Sequence, residues 1–318
     1  MAGFDLKGKR IWVAGDRGMV GSAVVRRLAT ESCEIVTAVR GRVDLRRQDS
    51  VERFIADEKP DAIVVAAAKV GGILANDTRP AEFLYDNLMI EANIIHAAHQ
   101  NDVNRLVFLG SSCIYPKFAP QPMTEDALLT GPLESTNEWY AIAKIAGIKL
   151  CQAYRKQYGR DYVSAMPTNL YGPNDNFDLQ SSHVLPALMV KIHDAHASGA
   201  PTVPVWGTGT PRREFLHVDD CADGIVFIMK SYSGAEHLNL GTGVDVSIRE
   251  LAESIARTVG YRGEFVFDTS KPDGTPRKLM NVDRMKALGW QARIPLDDGI
   301  RTTYQWFLEN RRALRGVA

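Results

Sequence analysis

Cysteine is scarce and scattered in this chain: Cys33, Cys113, Cys151 and Cys221 are the only four in 318 residues. No two of them form C-x-x-C. That argues against a disulfide framework or a cysteine zinc site and fits a reducing cytoplasm. Net charge is missing too. Lys plus Arg is 38 and Asp plus Glu is 38, so no nucleic-acid footprint and no membrane-surface footprint is expected, and any phosphate site must be a local cluster. No apolar run approaches the roughly 18 residues needed to span a bilayer. Asp5, Lys7, Lys9 and Arg10 precede the first apolar run, a mixture unlike a signal peptide. His96-x-x-His99 and His193-x-x-His196 have helical spacing but no third ligand close by in sequence, so no metal is expected. Internal repeats and low-complexity tracts are also lacking.

What is present is a set of short apolar runs separated by helical patterns. Residues 10–15 read as a first strand, 34–39 as a second, 62–68 as a third and 105–109 as a fourth. The third and fourth are almost wholly apolar, as strands buried on both faces of a parallel sheet are. Arg79-Pro80 opens a long helix to about Asn101, with Phe83, Leu84, Leu88, Ile94 and Ile95 as its apolar face. A second long helix runs to about Tyr158, and residues 162–166 give another strand. The pattern predicts an α/β protein with a Rossmann-type doubly wound parallel sheet and a smaller C-terminal α/β substrate domain. Tyr171-Gly172-Pro173 marks the first crossing into that domain. Residues 215–230 return to the sheet domain, where 237–241 add a short strand. The expected division is residues 1–172 with 214–243, against 173–213 with 244–318. Ser247 precedes Glu250 by three, a cap for a helix to Val259.

Gly15, Gly18 and Gly21 follow the first strand, and a helix begins near Met19. Glycines let the backbone approach a pyrophosphate, and the helix start offers free N–H groups and a positive dipole end. The spacing is G-x-x-G-x-x-G, not the usual G-x-G-x-x-G. An NAD site commonly ends its second strand with an acid for the ribose 2′-hydroxyl. Here Arg40 stands there, and Arg17 lies in the glycine loop. Two guanidiniums suit a 2′-phosphate, which favours NADP(H).

The fourth strand ends in Leu109-Gly110-Ser111-Ser112-Cys113-Ile114-Tyr115-Pro116. Ligands of open α/β sheets bind at such carboxyl ends. Tyr140 and Lys144, four apart, share one face of the second long helix. Moving a phenol proton near neutrality asks for a shift of roughly three units from about 10, or about 4 kcal/mol. One ammonium at about 5 Å, with an effective dielectric near 20, supplies about 3 kcal/mol. A fixed lysine nearly suffices on that estimate, with a nicotinamide cation adding to it. A strand-end serine can polarise a carbonyl.

These residues, with Gly15 to Gly21, Ala67 to Ile73, Pro167-Thr168-Asn169-Leu170-Tyr171-Gly172-Pro173 and Arg213 to Asp220, closely resemble an extended short-chain dehydrogenase/reductase. The resemblance runs essentially end to end. It implies a bifunctional enzyme acting on GDP-4-keto-6-deoxy-D-mannose, which is epimerised at C3 and C5 and then reduced at C4 by NADPH. Hydrogens beside the ketone are acidified, so inversion needs a base on one face and an acid on the other. The resemblance implies Cys113 as base and His183 as acid. Tyr140 would protonate the C4 oxygen, Lys144 would assist it and hold the ribose, and Ser111 would hydrogen-bond the carbonyl oxygen. By composition alone Cys113 reads as a small buried hydrophobe, and His183 as a polar residue at a helix start.

The implied cofactor contacts are Gly15, Asp16, Arg17, Gly18, Met19, Val20, Gly21, Arg40, Leu109, Gly110, Ser111, Ser112, Lys144, Pro167, Thr168, Asn169, Leu170 and His183. Val43-Asp44-Leu45 would lie near the adenine. Lys191 and Arg213 would meet the substrate diphosphate, Trp206 would pack on the nucleotide, and Asp273 would accept from guanine or its ribose. Arg212 and Lys271 stand beside these positions. A homodimer through the two long helices is implied as well. Alternatives are another nucleotide-sugar epimerase or reductase of the family, or a catalytically silent nucleotide-binding protein. A dehydratase would carry Thr and an Asp-Glu pair after the fourth strand. A silent protein has no need of Ser, Tyr and Lys together.

Overall fold

A computed structural model of the chain describes residues 3–38, 42–271 and 273–314. The first part alternates β1 (Arg10–Ala14), α1 (Met19–Leu28), β2 (Glu34–Val36), α2 (Gln48–Glu58), β3 (Ala62–Val65), α3 (Ile73–Thr78), α4 (Pro80–Gln100), β4 (Arg105–Leu109), α5 (Glu138–Tyr158) and β5 (Asp161–Pro167). There follow β6 (Asn169–Tyr171), α6 (Val184–Ser198), β7 (Thr202–Trp206), β8 (Arg212–His217), α7 (Val218–Ser231), β9 (Leu238–Leu240), β10 (Asp245–Ser247) and α8 (Ile248–Val259). The chain ends in β11 (Glu264–Asp268), β12 (Arg277–Lys278), α9 (Asp283–Ala287) and α10 (Leu296–Asn310).

A six-stranded sheet runs in the order β2-β1-β3-β4-β5-β9, every neighbour parallel. Side chains alternate across it. Trp12, Ile63 and Phe108 point into one apolar layer with Phe54, Ile94 and Ile148. Ile11, Val13, Val64 and Val107 point into the other with Val24, Ile225 and Met229. Helices therefore cover both faces, which is why these strands read as unbroken apolar runs. Strand order reverses between β1 and β3, and the crevice outside their carboxyl ends is where such sheets take ligands. A third core joins Leu188, Ile192, Val205, Phe215, Ile255 and Phe307. A smaller sheet, β10-β8-β12 with β6 on β8, and a parallel β7–β11 pair complete the architecture.

The two sheets meet at Glu214. Fully buried, its carboxylate accepts from the N–H groups of Thr242 at 2.6 Å, Gly243 at 2.7 Å and Met280 at 3.0 Å. Three segments thus hang on one side chain beside Arg213. Glu214→Ala leaves three buried N–H groups without a partner and is expected to cost about 3–5 kcal/mol. A urea midpoint equal to the parent's would refute that.

Most predicted elements fall where expected, with shorter strands: the second ends at Val36 and the third at Val65. Ser247 does cap α8, accepting from the Glu250 N–H at 3.1 Å while its own N–H donates to Glu250 at 2.7 Å. The histidine pairs serve packing. His96 meets the Tyr154 hydroxyl at 2.5 Å, and His193 meets that of Tyr304 at 2.8 Å. Among the described residues no helix is long and apolar enough to cross a membrane.

Candidate functional site

The glycine loop sits at the switch between β1 and β3. Gly15 has φ +92°, and a Cβ there would lie 2.7 Å from the Ala67 backbone. A Cβ on Gly21 would lie 2.0 Å from the Gly15 oxygen. The fold itself demands both. Gly18 is different: its nearest neighbour would be 3.5 Å away, and its φ of −72° suits any residue. It is the N-cap of α1, with no side chain over the free N–H groups of Met19, Val20 and Gly21. A glycine that the fold does not need, at an uncapped helix start, is what close approach of a phosphate requires. Gly15 and Gly18 line a cavity of about 400 Å³ with Leu45, Arg46, Ala66, Ala67, Ala68 and Lys69. Asp16 is half-buried and Arg17 exposed in the same loop. Arg40 lies outside the described residues. Arg46, on the cavity wall beside Asp44, is a cation that the sequence pattern did not single out.

At the other end of the crevice, α5 lies tight on β4. A Cβ on Gly147 would come within 2.4 Å of the Phe108 ring. This contact brings Lys144 down onto the sheet, its ammonium 4.7 Å from the Phe108 ring centre and 5.9 Å from that of Tyr140. Leu109 ends β4, and the Gly110 N–H donates to Ala165 at 2.9 Å, holding the turn to β5. Ser111 then leads into a short 3-10 turn, Ser112–Ile114, which buries Ser112 and Cys113. The Ser111 hydroxyl is not spent on capping that turn, and it lies beside the Cys113 thiol. Pro167 closes β5. The Thr168 N–H donates to Leu240 at 3.0 Å, and the Asn169 amide donates to the Glu214 carbonyl at 2.8 Å, with Leu170 next on β6.

His183 arrives from the other side. The Gly72 N–H, after β3, donates to Ser181 at 2.9 Å. The segment before α6 is thereby fastened against the sheet's loops, and His183 stands as N-cap of α6. Solvent reaches His183 and, in part, Tyr140 and Lys278, yet protein surrounds each, as in the wall of a deep cleft.

Lys278, on the two-residue strand β12, is the functional candidate that the sequence pattern hid. β12 pairs with β8 in the register Lys278 to Arg213, and the ammonium weighs on both Cys113 and His183. Burial pushes the Cys113 thiol up; Lys278, then Ser111 and Lys144, pull it back. Burial lowers His183, and Lys278 lowers it further. The lone-lysine estimate for the phenol is overturned. Burial holds Tyr140 well above its ordinary value, with Cys113 and Glu91 adding to the rise, and Lys144 lies 3.8 Å from the Glu91 carboxylate. Tyr140 therefore keeps its proton at neutral pH.

Lys278→Met is expected to raise the Cys113 thiol further, since it removes the largest influence opposing burial there. Site-resolved alkylation against pH, read by mass spectrometry, checks this. An unmoved profile would remove Lys278 from the site.

The residues proposed for the nucleotide end also converge. The Lys191 ammonium lies 5.3 Å from the Trp206 ring centre, and that of Lys271 lies 5.8 Å from it. Trp206 itself is 59% exposed. Asp273 accepts from the Thr208 N–H at 2.7 Å and the Thr208 hydroxyl at 2.9 Å, just past Trp206. Burial lowers Arg213, and Asp273 and Glu134 oppose this. Arg212 points elsewhere, bound to Asp245 at 2.8 Å and to Glu250 at 3.4 Å. A half-buried arginine, two lysines and an open indole can hold a diphosphate and a flat base. Among the described residues no group of three or more His, Cys, Asp or Glu is placed to hold a metal.

This crevice and glycine loop belong to a nucleotide-dependent α/β enzyme. The chain belongs to the NAD dependent epimerase/dehydratase family, whose model matches residues 11–241. It is 59% identical over 305 residues to a GDP-L-fucose synthase of Sinorhizobium fredii, covering 96% of this chain and 97% of the other. It is 58% identical over 318 residues to the GDP-L-fucose synthase of Escherichia coli K12, covering 97% and 99%. Among solved structures it resembles a GDP-L-fucose synthetase of Naegleria fowleri bound to NADP, with a TM-score of 0.89 and 30% identity over 99% of this chain and 98% of the other.

Proposed function

We propose that the protein converts GDP-4-keto-6-deoxy-D-mannose to GDP-L-fucose with NADPH, epimerising C3 and C5 and then reducing C4. The observation that carries this reading is the gathering of two acid–base sets around one cleft: Ser111, Tyr140 and Lys144, and beside them Cys113 and His183. NADP(H) suits the uncapped start of α1, the Gly18 approach, Arg17 and the cavity of Gly15 and Ala67. When bound, it supplies the hydride for C4.

The chain's own residues do the rest. Lys191 and Arg213 hold the diphosphate, Trp206 and Asp273 the nucleoside. Cys113 releases its proton to solvent, and the thiolate, helped by Lys278, takes the acidified proton beside the ketone and leaves an enolate. His183, neutral at rest, takes up a proton and returns one to the opposite face. Ser111 donates to the ketone oxygen, where enolate charge collects. In the later step Tyr140 hands its proton to the C4 oxygen.

Residues 1–172 with 214–243 form the cofactor unit, and 173–213 with 244–318 form the substrate unit. The protein works in the cytoplasm as a homodimer; exposed Tyr85 on α4 and Trp139 and Ile142 on α5 support that pairing. The test is purified protein with NADPH and the 4-keto sugar nucleotide, followed by nicotinamide absorbance and product NMR. NADPH oxidation yielding GDP-L-fucose is expected. A C4-reduced product with unchanged C3 and C5 would reduce the reading to a simple reductase.

A further inference from the structure

Glu91 has no part in the chemistry so far, yet it is placed at its centre. It lies on α4, which packs along α5, and is 2% exposed, as is Lys144. Its carboxylate comes within 3.8 Å of the Lys144 ammonium. Neither Glu91 oxygen touches solvent or has a hydrogen-bond partner among the described residues. On its far side Lys144 faces the Phe108 and Tyr140 rings. A carboxylate buried without partners is costly unless a charge answers it, and a dry ammonium likewise. Lys144 is the largest influence favouring the charged form of Glu91, ahead of the Gly147 N–H, and Glu91 is the largest favouring that of Lys144, ahead of Cys113 and Cys151.

We propose that Glu91 is a positioning residue for the reductase half of the reaction: its carboxylate keeps Lys144 charged and aimed beneath Tyr140 and the cofactor ribose. The proposal rests on Tyr140 and Lys144 being the reductase pair.

Burial alone lowers Lys144, and Glu91 is the largest influence raising it; burial raises Glu91, and Lys144 opposes that. The other titratable groups facing the pair are Tyr140 and Cys151 on α5 and Cys113 after β4. Burial raises all three above their ordinary values. None of them titrates near neutrality, which leaves the pair itself to shape the neutral pH profile.

Glu91→Gln keeps the shape and removes the charge. Lys144 then loses its proton at lower pH. The basic limb of the kcat profile for ketone reduction should move down by about one unit or more, a loss of about tenfold at pH 8 that recovers on acidification. KM for the sugar nucleotide and solvent exchange at C3 and C5 should hold within about twofold. Glu91→Asp, which keeps the charge, should keep the parental profile. In a Lys144→Met background, Glu91→Gln should change reduction by less than about twofold, because the carboxylate acts only through the lysine. That double variant removes both buried charges together and leaves no unpaired buried charge, so it is expected to fold even if the single variant does not. A Glu91→Gln profile superimposed on the parent's, or a double variant far below Lys144→Met, overturns the proposal. Reduction at the parent rate by Lys144→Met alone would instead strike the reading of Tyr140 and Lys144.

Discussion

Tyr140→Phe is expected to abolish NADPH oxidation while solvent deuterium still enters C3 and C5. Burial holds this phenol far above its ordinary range, so at neutral pH it carries the proton that a reductase must deliver. Removing the hydroxyl leaves the ring, its packing and the Lys144 ammonium 5.9 Å from the ring centre. What is lost is the group proposed to protonate the C4 oxygen as charge develops there, worth about 10²–10⁴-fold in rate. Lys278 still weighs on both Cys113 and His183. The two half-reactions therefore separate. Mass spectrometry of recovered sugar nucleotide in deuterated water reads exchange, and nicotinamide absorbance reads reduction. Loss of both together would mean that Tyr140 also serves the epimerisation. Survival of both would remove it from the chemistry.

The separation was half legible in the sequence. Ser111, Tyr140 and Lys144 announce themselves because strand end and helix spacing are local patterns, and local patterns survive without coordinates. The glycine loop was legible for the same reason, although only coordinates distinguish Gly15 and Gly21, which the fold requires, from Gly18, which it does not. Lys278 could not be read. It reaches Cys113, 165 positions earlier, through a two-residue strand whose register on β8 is set by backbone pairing. Nothing in the sequence pattern marks Glu91; its burial comes from α5 lying close, which depends on Gly147 against Phe108. The phenol estimate failed for the same reason, since it treated Lys144 as a lone cation. α2 passed unnoticed because its apolar residues, Val51, Phe54 and Ile55, are few among charges. The histidine pairs show the converse: a residue type suggests chemistry, and packing decides whether it is free to perform it.

Cys113→Ser should suppress exchange at C3 and C5 by about 10²–10⁴-fold while NADPH still binds. The substitution is nearly isosteric, and the turn Ser112–Ile114 keeps its backbone. A serine hydroxyl in the same dry place stays protonated at any accessible pH, whereas a thiol ionises far more readily, and Lys278, Ser111 and Lys144 oppose the rise that burial gives it. The thiolate fraction grows about tenfold per pH unit below the thiol's pKa, so parental exchange should rise with pH and the serine variant should not follow it. Reduction tells the base apart from a general collapse. Supplied with a substrate already inverted at C3 and C5, the variant should still oxidise NADPH, because Ser111, Tyr140 and Lys144 are untouched. Exchange at both carbons at the parent rate would show that the thiol is not the base and would shift that role to His183, which burial and Lys278 already keep neutral. Exchange lost at one carbon only would mean that Cys113 and His183 divide the two centres between them.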